Sequence, residues 1–215
     1  MSDLVLHGYW RSSASYRVRI ALNLKKLSYR QITHDLRTGE QTDPTYRAIA
    51  PAGLVPALEW GDHAFVQSLA ILEWLEEYWP DPALLPRAYE PRAIVRGMAS
   101  ILVADIHPLN NLRVMNYLKS NLELSTEAAH AWMSHWMSEG LAALEAMIAR
   151  YGGDYAFGDQ LTMADCCLVP QVYNAERFGV DISRFRHLGA ATARARAHPA
   201  VAAAHPDLQP DADPA

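Results

Sequence analysis

The chain has 215 residues, half of them hydrophobic and a fifth charged, with a formal net charge of −5. This length allows one large domain or two small ones sharing an interface, and the composition excludes a disordered chain. The acidic balance argues against a nucleic-acid partner, and no run approaches ~18 uninterrupted apolar residues, so no membrane span is expected. Leu4 to Tyr9 reads as a strand, Ala14 to Lys26 as a helix and Tyr29 to His34 as a second strand. A loop with Gly39, Pro44, Pro51 and Gly53 follows. Val55 to Trp60 and Ala64 to Val66 flank the turn signal Gly61-Asp62 and read as a hairpin. Ser68 to Trp79 reads as a helix with Ser68 at its N-cap.

Pro80, Pro82, Pro86 and Pro91 mark a linker. Beyond it strand signals vanish. Arg92 to about Leu122 reads as a helix kinked at Pro108, and Ser125 to Arg150 as a long helix closed by Gly152-Gly153. Thr162 to Phe178 and about Leu188 to Ala197 complete the set, and the tail after Pro206 is expected to be loose. The expected architecture is therefore an α/β domain over residues 1–82 and an all-helical domain over 91–215.

Three local patterns bear on chemistry. Arg11-Ser12-Ser13-Ala14-Ser15-Tyr16-Arg17 joins the first strand to the first helix. A helix N-terminus offers unpaired N–H groups and a positive dipole end, so its serines either cap the helix or help hold an anion such as a thiolate. Arg17 shares a stripe with the apolar Ala21 and Leu24, and a guanidinium on a packing face needs an anionic partner, from the protein or from a ligand. In Val55-Pro56, a cis bond would turn the backbone of Val55 toward solvent, where a peptide-like ligand could pair with it. Gln67-Ser68 opens a helix and suits either a plain cap or a bound carboxylate.

Thr162-Met163-Ala164-Asp165 fits a capping box with a structural Asp165. Cys166 and Cys167 are adjacent, which excludes a disulfide framework, and they read as small core residues in a reducing compartment. The nine histidines form no ligand constellation, so no metal is expected. Trp132 and Trp136, one helical step apart, read as packing residues. The sequence lacks a signal-peptide layout, and a cytoplasmic location is expected.

Taken together, the Ser-rich turn, Val55-Pro56, Gln67-Ser68-Leu69-Ala70-Ile71, Asp105-Ile106-His107-Pro108-Leu109-Asn110-Asn111, Ala164-Asp165, Leu168-Val169-Pro170-Gln171 and Ala175-Glu176-Arg177-Phe178 resemble the glutathione transferase superfamily. The stretch Ser12 to Leu22 resembles its zeta class, which includes maleylacetoacetate isomerase and, in bacteria, maleylpyruvate isomerase. The resemblance implies a thioredoxin-like N-terminal domain that binds glutathione, a C-terminal helical domain and a homodimer. It places Ser12, Ser13, Ala14, Ser15, Tyr16, Arg17, Gln41, Val55, Gln67 and Ser68 against glutathione, with His107, Asn111, Leu112 and Arg113 reaching it from the helical domain. Arg11 and Arg177 would face a small acidic substrate. The implied catalytic set is Ser12, Ser13, Ser15, Arg11 and Arg177, acting in cis–trans isomerisation of a maleyl keto diacid. Conjugation or dehalogenation of small haloacids, and a non-catalytic binding module, are the alternatives. One departure stands out: the zeta pattern commonly has Cys, Ser or Thr where this chain has Ala14.

Overall fold

The computed structural model describes residues 3–213. Strand β1 (Leu4–Gly8) is buried along its whole length. It lies inside a four-stranded sheet of order β2-β1-β3-β4, with β2 at Tyr29–Thr33, β3 at Ala57–Trp60 and β4 at His63–Val66. A strand covered on both faces reads as a continuous apolar run, and Leu4-Val5-Leu6 is one. β2 pairs parallel to β1, with Leu4 opposite Tyr29, whereas β3 and β4 add antiparallel. This is the thioredoxin-like βαβ then ββα order expected from the sequence.

Helix α1 (Ser13–Leu24) packs on helix α3 (Ser68–Tyr78). Lys25, just past α1, is buried with its Nζ 2.9 Å from Glu76 Oε2, 2.6 Å from the Trp79 carbonyl and 3.0 Å from that of Pro82. A buried ammonium is tolerable only when its donors are matched this fully.

The segment read as a loop contains a turn of 3₁₀ helix at Glu40–Thr42 and a short helix α2 (Pro44–Ile49). Asp43 caps α2 by accepting from Thr45 N, and Pro44 opens it where no N–H is needed. Tyr46 drives its ring from α2 into a cluster with Ala50 and Ala57.

Residues 1–84 and 196–215 form one compact unit, and 85–195 a second. The tail expected to be loose is therefore ordered through Asp213. Helix α9 (Pro199–Ala202) contacts α1, Asn23 Nδ2 donates to the Ala200 carbonyl, and Asp211 and Asp213 bond to groups near the strand ends. Its carboxylates find specific donors, which composition alone does not reveal.

The second unit is helical. Helix α4 (Tyr89–Ser100) runs into a wide π turn (Ile101–Ile106), then a 3₁₀ turn (His107–Asn110), before α5 (Leu112–Asn121). The single kinked helix expected over 92–122 is thus broken. Pro108 cannot donate a helix bond, and Asn111 is extended and caps α5 through Arg113 N. Helix α6 (Thr126–Tyr151) passes alongside. Gly140 there admits Ile106, which any Cβ would strike, and Trp132 Nε1 donates to the Leu109 carbonyl at 2.8 Å. Helices α7 (Met163–Arg177) and α8 (Arg186–Arg196) complete the unit. Among the described residues no helix is long and apolar enough to cross a membrane, and no His, Cys, Asp or Glu group could hold a metal ion.

Candidate functional site

The site is built at the ends of β1 and β4, where two helices begin. Ser12 caps α1, its Oγ accepting from Ser15 N at 3.2 Å. A hydroxyl that accepts one bond still has its proton to donate. Ser13 and Ala14 follow as the first helical residues, and their N–H groups have no acceptor among the described residues. No acidic side chain occupies this first turn. Ser15 is different: it has no exposed surface, and its Oγ accepts from Tyr9 N at 3.4 Å, holding the turn from behind. Arg11 is half-buried, its guanidinium carbon 5.0 Å from the centroid of the Trp10 ring.

The second helix start differs from the sequence reading. Ser68 is the first residue of α3 and not its cap; Gln67 holds that place with φ 70°, and its side chain makes no capping bond. A positive φ at a non-glycine residue is uncommon and clusters at ligand-binding positions. It leaves Ser68 N and Leu69 N without a backbone acceptor among the described residues. The Ser68 hydroxyl is taken by Arg17, whose NH1 donates to it at 3.1 Å. The partner sought for Arg17 thus includes a hydroxyl at the start of α3, and the buried guanidinium locks the two helix starts together. Tyr16 is buried and meets the His205 ring edge-on at 6.2 Å between centroids.

Between these two starts runs the 53–56 loop. Val55–Pro56 is cis, and the N–H and C=O of Val55 make no hydrogen bond among the described residues. Gly53 has φ +60°, and a Cβ there would lie 2.9 Å from the Gln41 carbonyl, so the Gln41 turn and this loop touch at a point only glycine allows. Gln41 Oε1 is buried with no partner among the described residues. A buried orphan acceptor costs about 1–3 kcal/mol, a cost that a bound donor removes.

Beneath the loop is a cluster the sequence did not suggest. His7 Nε2 is 2.6 Å from Glu59 Oε1, and its Nδ1 is 2.9 Å from His34 Nε2. The His34 ring lies 4.0 Å from that of Tyr46, whose hydroxyl donates to the Leu54 carbonyl at 2.7 Å. Burial first, and His7 second, hold the His34 pKa below its ordinary value, and burial raises that of the Tyr46 phenol. The cluster ties three strands to the loop bearing Val55. Only the register that puts His7 and Glu59 on one face of neighbouring strands could have signalled it.

In the second unit, His107 and Asn111, Leu112 and Arg113 fall within one turn region, with Leu112 and Arg113 exposed. Arg177 is exposed at the end of α7, bonded through NH2 to Asn174 Oδ1 at 3.1 Å and stacked over Phe178 at 4.5 Å. It belongs to the surface and not to the core. Asp165 is buried and accepts from Ala156 N at 2.9 Å and from Thr162 N at 2.8 Å, which makes it the structural capping residue expected. Cys166 and Cys167 are buried thiols.

The observed groups suit a tripeptide carrying a thiol and carboxylates: two helix starts for anions, an unladdered backbone for a peptide edge, and an orphan acceptor for a donor. Residues 11–78 match the family model for the glutathione S-transferase N-terminal domain, and residues 130–205 that for its C-terminal domain. A probable maleylacetoacetate isomerase of Vibrio cholerae is 46% identical over 99% of this chain and 100% of its own. The holo structure of a maleyl pyruvate isomerase, a bacterial zeta-class glutathione S-transferase, superposes with a TM-score of 0.95 at 43% identity, covering 97% of this chain and 100% of the other. A maleylacetoacetate isomerase from Methylobacterium extorquens AM1, with bound malonate and GSH, gives a TM-score of 0.94 at 38% identity over 98% and 100% of the two chains. With near end-to-end matches at this level of identity, the chain belongs to the glutathione S-transferase family, in its zeta class.

Proposed function

We propose that this protein is a glutathione-dependent cis–trans isomerase of a maleyl keto diacid. The observation that carries the reading is the start of α1, where Ser12 and Ser13 stand beside two N–H groups without acceptors among the described residues and no acidic residue lies in the first turn. The substrate class rests on the relatives: isomerases of maleylacetoacetate and maleylpyruvate match this chain over nearly its whole length, and one holds a diacid together with GSH.

Glutathione, when bound, supplies a thiolate that can add to the cis double bond, allow rotation about it and leave again. The chain's own residues do the rest. Ser12 and Ser13 donate their hydroxyls, with the N–H groups of Ser13 and Ala14, to the sulfur, and the helix dipole favours its charged form. Ala14 needs only its backbone for this, so the missing Cys, Ser or Thr does not remove the chemistry. Ser15 positions the turn through Tyr9. Ser68 N and Leu69 N receive a glutathione carboxylate, Val55 pairs with the peptide, and Gln41 accepts a hydrogen bond from the ligand. Gln67, Arg17 and Tyr16 shape this pocket. The family resemblance alone assigns His107, Asn111, Leu112 and Arg113 to glutathione, and Arg11 and Arg177 to substrate carboxylates, whose charge guanidinium forks stabilise.

The reading includes a homodimer in the cytosol. Trp60, Phe65, Trp74, Tyr78 and Trp79 form a continuous ring cluster on β3, β4 and the C-terminal end of α3, with Tyr78 half exposed. Apolar surface of this kind favours a second copy. Light scattering at low micromolar concentration should give the dimer mass.

The function is tested by turnover of maleylacetone with and without glutathione. Turnover that requires glutathione is expected. Conjugation of a haloacid without isomerisation would instead favour the transferase reading.

A further inference from the structure

The C-terminal strap, residues 199–213, does more than pack α9 on α1. It reaches the turn that precedes the Ser-rich helix start. Asp211 Oδ2 accepts from the Trp10 N–H at 2.9 Å, and its Oδ1 accepts from Gln31 Nε2 at 3.3 Å. On the other side of the same residue, Arg19 NH2 donates to the Trp10 carbonyl at 2.8 Å. Arg19 has no exposed surface, and it also donates to the Tyr9 carbonyl at 3.4 Å and to the Ala204 carbonyl of the strap at 3.2 Å. The turn itself closes with Ser12 N donating to the Tyr9 carbonyl at 3.0 Å.

The N–H and C=O of Trp10 are therefore gripped from opposite sides, one by the strap and one by a guanidinium that also holds the strap. Trp10 stands one residue before Arg11 and two before Ser12. Its orientation sets where those residues and the first N–H groups of α1 point. By contrast, Arg37 holds Asp213 at 2.8 and 2.9 Å in solvent, where an ion pair contributes little.

We infer that Asp211 is a positioning residue for the thiolate site: it fixes the turn through the Trp10 N–H and so aims Arg11, Ser12 and the start of α1. This rests on the reading that α1 receives the glutathione sulfur. The role requires an acceptor oxygen and not a charge, so asparagine should replace aspartate and alanine should not. A site displaced by a fraction of an ångström loses rate steeply.

The test uses the full-length protein and its Asp211→Ala and Asp211→Asn variants, with glutathione and maleylacetone. Asp211→Ala should lower kcat/KM about tenfold and move the thiol limb of the pH–rate profile upward, while Asp211→Asn stays within about twofold of wild type on both readouts. In the ligand-free protein, amide exchange at Trp10 should rise about tenfold in Asp211→Ala and not in Asp211→Asn. Wild-type kinetics and exchange in Asp211→Ala would overturn the inference, as would equal losses in both variants. Exchange is read without substrate. If the wild type shows no glutathione-dependent turnover, the functional reading fails while the clamp on Trp10 is still decided.

Discussion

Helices α1 and α7 both begin with a hydroxyl residue at the cap, yet they serve different ends. At α7, Thr162 is followed by the protein's own carboxylate, Asp165, which is buried and accepts the N–H groups of Ala156 and Thr162. Burial pushes the Asp165 pKa up to about 6 against the pull of those donors. At α1, Ser12 is followed by Ser13, Ala14 and Ser15, and no acid enters the first turn. One helix start brings its own anion and is complete. The other has no acidic residue in its first turn and, on the proposed function, receives the thiolate of glutathione. What separates a structural cap from a binding site here is the inventory of acceptors, not the cap residue.

This contrast can be broken at either end. The largest effect is expected from giving α1 its own anion. Ser13→Asp should lower turnover a hundredfold or more, because the new carboxylate takes the place meant for the sulfur, while the helix dipole offsets part of the cost of burying its charge. Steady-state kinetics per folded molecule, with urea denaturation alongside, reads the loss. At α7 the converse holds. Asp165→Ala leaves buried donors unmet and should cost about 3 kcal/mol of stability, with kcat/KM per folded molecule unchanged. A smaller effect is expected at Arg177, whose guanidinium is on the surface. Arg177→Ala should lower kcat/KM for a diacid about tenfold while glutathione affinity by calorimetry stays at the wild-type value. Wild-type diacid turnover in that variant would remove Arg177 from the substrate site.

Several elements of both units were legible because their signals are local. The hairpin at Gly61-Asp62, the Thr162–Asp165 capping box and the apolar run of β1 each declare themselves within a few residues. Helix α2 was hidden because it is six residues long and buries only Tyr46, too little for a periodic pattern. Its Asp43-Pro44 start was the available signal. The displacement of the cap from Ser68 to Gln67 is a tertiary effect, since the Ser68 hydroxyl is engaged by Arg17 from 51 positions away. The strap was hidden for the same reason: Asp211 and Trp10 are 201 positions apart, and nothing in a Pro- and Asp-rich tail announces a partner. In the candidate site, the residue types were readable, whereas the division between Ser12, with a proton to give, and Ser15, enclosed behind the turn, required coordinates.

On the proposed function, the start of α1 holds glutathione as a thiolate. Titrating the ultraviolet thiolate band of glutathione bound to the wild-type protein reads this state. A free thiol titrates near ~8.5. A bound pKa well below that value is expected, returning toward it in Ser12→Ala or Ser13→Ala. A bound thiol that titrates at the free value, unchanged in both variants, would contradict it.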